Sequence, residues 1–243
     1  MHMHALQFGV LAFAALLAST LAAVTGFGGA AVLLPVLVWL FGIKEAIPIL
    51  TVAQLAGNGS RVWFNRKLVD YQVVLWFSLG GVPLAIVGGL LFAKAPLSAL
   101  TRSLGAFLIL LVVSRHSHAK PFFRPTLYQF ALIGGASSLL SALLGSVGPL
   151  MAPLFLAYGL VKGAYIGTEA LATVVMHVFK LVAYGASNLL NLRDVTAGLL
   201  LGPIMISGSF FGKKIVDALP ERVFVTVIDA TLVAAGILFL VRG

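Results

Sequence analysis

The chain has 243 residues, 60% of them hydrophobic and only 9% charged, with a mean hydropathy of +1.09. That balance excludes a soluble globular domain and specifies a polytopic membrane protein. A formal charge of +9 would suggest a nucleic-acid partner in a soluble chain, but here Lys and Arg sit in short loops between apolar runs, so topology accounts for them and no nucleic acid is expected.

Apolar runs fall at about 5–24, 30–41, 45–62, 70–93, 98–114, 126–144, 149–158, 162–186, 194–217 and 221–241. The longer runs are continuous for about 17 to 24 residues, the length a helix needs to cross ~30 Å, and lack the alternation of a membrane β-barrel. An all-α polytopic membrane protein follows. The first 43 residues contain no Lys, Arg, Asp or Glu, so the basic start of a cleavable signal peptide is missing and the first run is expected to remain as a membrane helix. The absence of Cys excludes disulfides, thiolate metal sites and thiol catalysis.

The second and seventh runs are too short to span alone. Each follows a glycine-rich break, Gly26-Phe27-Gly28-Gly29 or Gly145-Ser146-Val147-Gly148, and reads as a half-length or re-entrant helix. The ten segments also divide into two sets of five that resemble each other. Phe41-Gly42 followed by Thr51 matches Tyr158-Gly159 followed by Thr168, and Asp70 opens the fourth segment as Asp194 opens the ninth. Pro83, Gly88, Lys94 and Arg102 match Pro203, Gly208, Lys214 and Arg222 at a constant offset of 120 positions.

The expected organisation is therefore a first membrane repeat over 1–114, a cytoplasmic linker loop over 115–125 and a second repeat over 126–243. An odd number of passes per repeat inverts the second relative to the first. With the linker inside, the inner side holds ten basic residues, Arg61, Arg66, Lys67, Arg115, Lys120, Arg124, Lys162, Lys213, Lys214 and Arg222. The outer side holds five, Lys44, Lys94, Arg102, Arg193 and Arg242, which favours both termini outside.

The run 162–186 carries Glu169, His177 and Lys180, three ionisable groups at membrane depth that need a reason. On a helix, Glu169, Thr173, Met176 and Lys180 fall within about 60° of one another, with His177 beside them. Glu169 and Lys180 are roughly 16 Å apart along the axis, so each needs another partner. In the first repeat Thr51, Gln54, Asn58 and Arg61 share one helix face at spacing i, i+3, i+7, i+10. Gln and Asn can simply join helices by hydrogen bonds, Arg61 and Lys180 can snorkel, and His177 can be a neutral core imidazole. As ordered sets on matching helices they favour a lined cavity. Glu169 and Asp229, costly as carboxylates, are either protonated structural groups or proton carriers. The glycine breaks lack the Lys and Ser/Thr of a phosphate loop. They can expose half-helix N-termini, whose positive dipole end attracts an anion, or merely permit close packing.

At these residues the chain resembles the sulfite exporter TauE/SafE family of small bacterial transporters over nearly its full length. The matching pieces are Thr25-Gly26-Phe27-Gly28-Gly29 with Pro35, Ala53-Gln54-Leu55 with Gly57-Asn58-Gly59-Ser60-Arg61, Gly145-Ser146-Val147-Gly148-Pro149 with Pro153, Gly167-Thr168, and His177 with Lys180 and Tyr184. The resemblance implies movement of small sulfur-containing anions or organic acids, such as sulfite and sulfonates, through two inverted repeats in a bacterial inner membrane. Relatives that import thiosulfate use pore cysteines, which this chain lacks.

The expectation is thus a transporter of a small anion bound near the midplane, working in the lipid bilayer without cofactor, metal or catalysis, as a single chain or a homo-oligomer. Lys180 and the half-helix N-termini at Gly28, Gly29 and Gly148 hold the charge. Gln54, Asn58, His177, Thr51 and Thr168 supply hydrogen bonds, Arg61 adds a second cation, and Glu169 and Asp229 offer proton coupling. An anion leaving a cell that is negative inside gains about 2.3 kcal/mol per charge per 100 mV, so export needs no coupling, whereas import would need protons. A membrane-embedded enzyme would want a clustered acid/base pair or a second intramembrane His, and a purely structural subunit would not need duplicated breaks and polar stripes.

Overall fold

The computed structural model describes residues 5–25, 29–116 and 124–216, with 233, 236, 237 and 239–241 of the last segment. The first half supplies α1 (Ala5–Thr25), α2 (Gly29–Phe41), α3 (Ile43–Asn65), α4 (Tyr71–Lys94) and α5 (Leu97–His116). In the second, a 3₁₀ turn (Leu127–Gln129) leads into α6 (Phe130–Leu144), followed by α7 (Gly148–Tyr158), α8 (Lys162–Ala186) and α9 (Leu192–Val216). The all-helical reading holds among the described residues, which contain no strand. The tenth expected segment, 221–241, lies almost wholly outside them, as does most of the linker.

Local chemistry sets the ends. Asp70 caps α4, its carboxylate accepting from the N–H groups of Gln72 and Val73 at 3.0 and 3.2 Å. Gln129 reaches back to the Thr126 N–H at 2.7 Å at the entrance to α6. Gly145 terminates α6 at φ 85°, where a side chain would be strained, and donates to the Ser141 carbonyl at 2.9 Å. At the other end of α4, Lys44 donates to the carbonyls of Phe92 and Ala93, the latter at 2.9 Å, and closes a helix terminus whose dipole favours a cation.

The helices pair reciprocally. α4 lies along α6 and α8, α9 lies along α1 and α3, and α3 packs on α8 at the centre. Small residues bring these backbones together: a Cβ on Gly80 would strike the Ala131 carbonyl, and one on Gly134 the Phe77 carbonyl, which joins α4 to α6 without room for any side chain. Gly88 rests on Leu139 and Ala142 of α6, and Gly208 on Leu16 and Ser19 of α1.

Four helical stretches are long and apolar enough to cross a membrane, Tyr71–Lys94, Leu127–Leu144, Lys162–Ala186 and Leu192–Phe211. Their outward faces are apolar and uncovered, as at Leu75, Leu79, Val178, Val182, Leu199 and Phe210, which lipid would cover. α3 is more polar than these four. It tolerates that because α2, α8 and α9 surround it, so its polar stripe faces protein and not hydrocarbon.

Candidate functional site

The two broken hairpins meet the two central helices around one partly open cavity. The α1/α2 hairpin contributes Ala22, Gly29 and Ala30. The α6/α7 hairpin contributes Ser137, Ser141, the break Gly145 to Gly148, Met151 and Phe155. From the centre come Gln54, Asn58 and Arg61 of α3, and Glu169, Ala172, Thr173, Met176 and His177 of α8. Phe77 of α4 completes the wall. The first residues of both half-length helices, Gly29 and Gly148, thus line the same space; in α7 Pro149 carries no N–H and Leu150 donates to the Val147 carbonyl at 2.9 Å, so Gly148 is the residue of that first turn that can offer an N–H group.

The polar groups are held, and several are left with capacity. Arg61 is 5% exposed, so it does not snorkel. Its guanidinium donates to the Ala22 carbonyl at 3.1 Å and to the Asn58 amide oxygen, and Nη1 stands 3.8 Å from Oε2 of Glu169. Glu169 accepts from the Thr173 hydroxyl at 3.1 Å through Oε1, while Oε2 has no hydrogen bond. Asn58 Nδ2 and His177 Nδ1 are also buried without a hydrogen-bond partner. A buried amide N–H₂ and an imidazole without partners are costly in a closed core, and their position on a cavity wall supplies the reason they persist.

Lys180 stands differently. It is fully buried yet not on the cavity wall, and its ammonium donates to the Ser141 carbonyl at 3.0 Å and the Ser141 hydroxyl at 3.1 Å. One turn on, the Tyr184 hydroxyl donates to the Ala142 carbonyl at 2.7 Å. Tyr184 satisfies a carbonyl in the last turn of α6, and Lys180 adds a second donor to the Ser141 carbonyl that Gly145 already holds, at a helix end whose dipole favours a cation. The structure therefore places Arg61 in the cavity and Lys180 one contact behind it.

Arg61 and Lys180 do the same thing in the two halves. Each reaches a carbonyl 39 residues earlier in the chain, on the first helix of its own hairpin close to the break. The two contacts are 119 positions apart, as are Asn58 and His177, and Gln54 and Thr173.

Of the other sequence-derived candidates, Gln54, Asn58, His177, Glu169, Gly29 and Gly148 line the cavity. Thr51 and Thr168 do not: Thr51 donates to its own helix at Ile47, and the Thr168 hydroxyl accepts from the Asp70 N–H at 2.9 Å, tying α8 to the start of α4. Gly28 and Asp229 lie outside the described residues. Sequence reasoning missed Ser137 and Ser141. The signal was present as hydroxyls one turn apart on a helix that ends at a glycine break.

The family model described as Sulfite exporter TauE/SafE matches residues 11–239 of the chain. Neither a curated protein nor a solved structure matches it.

Proposed function

From the premise that the chain belongs to the sulfite exporter TauE/SafE family, a family of membrane transporters of sulfite- and sulfonate-type anions, we propose that it exports a small monovalent oxyanion of this class through the cavity between its two halves. The observation that carries the reading is the convergence, on one wall system, of two half-helix N-termini, the Arg61 guanidinium and two unpartnered buried polar groups, Asn58 Nδ2 and His177 Nδ1. An oxyanion offers lone pairs to all of them. Arg61 presents a planar fork suited to such a group, and the helix ends add positive potential without adding a titratable charge. Gln54 and Thr173 line the site at matching positions and can bind either end of a small substrate.

The fold reading behind this is a pair of inverted repeats, 1–114 and 126–243, joined by a cytoplasmic linker in a bacterial inner membrane. Support comes from the reciprocal helix pairing, from Gly88 and Gly208 resting on Leu/Ala and Leu/Ser pairs with the same three-residue spacing, and from the equal 39-residue reach of Arg61 and Lys180. A site between inverted repeats near the midplane is the arrangement that lets access alternate.

The test is flux. Liposomes containing this protein alone and loaded with sulfite should release it faster than equally loaded protein-free liposomes, and external or internal small sulfonates should compete. Release at the protein-free rate would refute the transport reading.

A further inference from the structure

We propose that Glu169 competes with the transported anion for Arg61 and yields by binding a proton, so that each monoanion moves together with one proton. The inference rests on the anion-site reading above and specifies how that site is coupled.

Glu169 is 6% exposed and lies on a cavity wall whose polar groups share the space with Phe77, Met151, Phe155 and Ala172, a buried setting that screens charge less than water does. Its Oε2 faces Arg61 Nη1 at 3.8 Å without a hydrogen bond. The pair is close enough to attract and too loose to be locked. An anion that takes Arg61 and the Asn58 and His177 groups must sit within a few ångströms of this carboxylate, and two negative charges so close cannot both persist in such a place. Protonation at Oε2 removes the conflict. The proton comes from water at the cavity mouth, the only bond made is O–H on Glu169, and the carboxylate's unpaired acceptor becomes a donor to the anion. On release at the other face the proton returns to water, and Glu169 faces Arg61 again.

Among the described residues, His177 is the one other titratable wall group that competes for this role. Among the described residues, α1, α2, α4, α6 and α7 contribute no Asp, Glu, His, Lys or Arg to the wall. α3 contributes Arg61, and α8 contributes Glu169 and His177. Tyr165, one turn before Glu169 and near enough to feel its charge, is buried with an unpartnered hydroxyl. Asp70, the acid at the start of α4, spends its carboxylate on its own helix, and Lys180 is held by Ser141. The transfer is electroneutral for a monoanion. It follows the anion and proton gradients and not the membrane potential, and the same device exports an anion made in excess inside or imports one under a strong inward proton gradient.

Methanesulfonate, ionised at every accessible pH, isolates the protein's own proton. Its binding to purified wild-type protein, measured calorimetrically in two buffers of different ionisation enthalpy from about pH 5 to about pH 9, should show uptake approaching one proton per anion in part of that range, with affinity falling up to tenfold per pH unit there. Glu169→Gln should bind methanesulfonate with no uptake and a flat pH profile. Binding without uptake by the wild type overturns the coupling and leaves the anion site standing. Uptake that persists in Glu169→Gln transfers the proton to His177 and also overturns it. Absence of binding by either protein at any pH overturns the anion-site reading and this inference with it. Should Glu169→Gln not fold, uptake must survive in both Glu169→Asp and His177→Gln, and its loss in the latter is the refuting result.

Discussion

Nη1 of Arg61 and Oε2 of Glu169 stand 3.8 Å apart on facing central helices, attracted but not hydrogen-bonded. The same guanidinium is anchored on the Ala22 carbonyl and on Asn58, so the cation is fixed and the acid is the partner free to change. Arg61→Gln should therefore weaken methanesulfonate binding by about 30-fold or more, since truncating one partner of a buried charge pair costs ~2 to 5 kcal/mol. Arg61→Lys should recover part of that loss, because charge returns without the fork. Titration of the purified variants measures both.

Lys180→Gln should act mainly on stability. With its ammonium on Ser141 and no place on the cavity wall, removing it takes a charged donor from the Ser141 carbonyl and hydroxyl, the carbonyl keeping only the Gly145 N–H, and should cost ~1 to 3 kcal/mol, seen as a lower melting temperature in detergent. Affinity of the folded protein should stay within a few-fold of wild type. A large loss of affinity with unchanged melting would instead return Lys180 to the substrate, the role its sequence position suggested.

The glycine contacts separate packing from function. Gly80→Val and Gly134→Val force a side chain into the facing helix backbone and should prevent a monodisperse protein, read by gel filtration after extraction. Gly59 is the control: a methyl there meets nothing within 4 Å, so Gly59→Ala should be neutral or stabilising by up to ~1 kcal/mol even though it adjoins Asn58.

Topology is tested at the two ends of α4, whose 24 residues span roughly 36 Å. In the naturally Cys-free chain, Lys67→Cys should react with impermeant thiol reagents from the cytoplasmic side and Ser98→Cys from the outside; both positions are exposed. Labelling from the same side would dispose of the inverted arrangement.

Much of the fold was legible because membrane helices announce themselves by length. The run read at 162–186 is α8 residue for residue, and 30–41 differs from α2 by one residue. The glycine breaks marked both hairpins, and the stripe of Gln54, Asn58 and Arg61 was seen to face a cavity because helical periodicity fixes which side chains share a face. What periodicity cannot fix is which helix each stripe meets. Lys180 shares the polar face of Glu169, yet α6 ends beside it and takes its charge, a fact set by tertiary packing. Thr168 was lost to the site for the same reason, through Asp70 of a helix 98 positions away in the chain.

The equal reach of Arg61 and Lys180 has a consequence for the arithmetic of charge at the centre. A symmetric dimer of one repeat would carry every ionisable group twice, giving two cations with two acids or with none. Fusion lifts that restriction. The position 119 residues before Glu169 is Leu50, fully buried and apolar, so among the described residues this acid has no counterpart in the first half. An acid held in one half only can stand against Arg61 and not against Lys180, so two cations at matching positions are left with different work, one beside the cavity and one fastening a helix end.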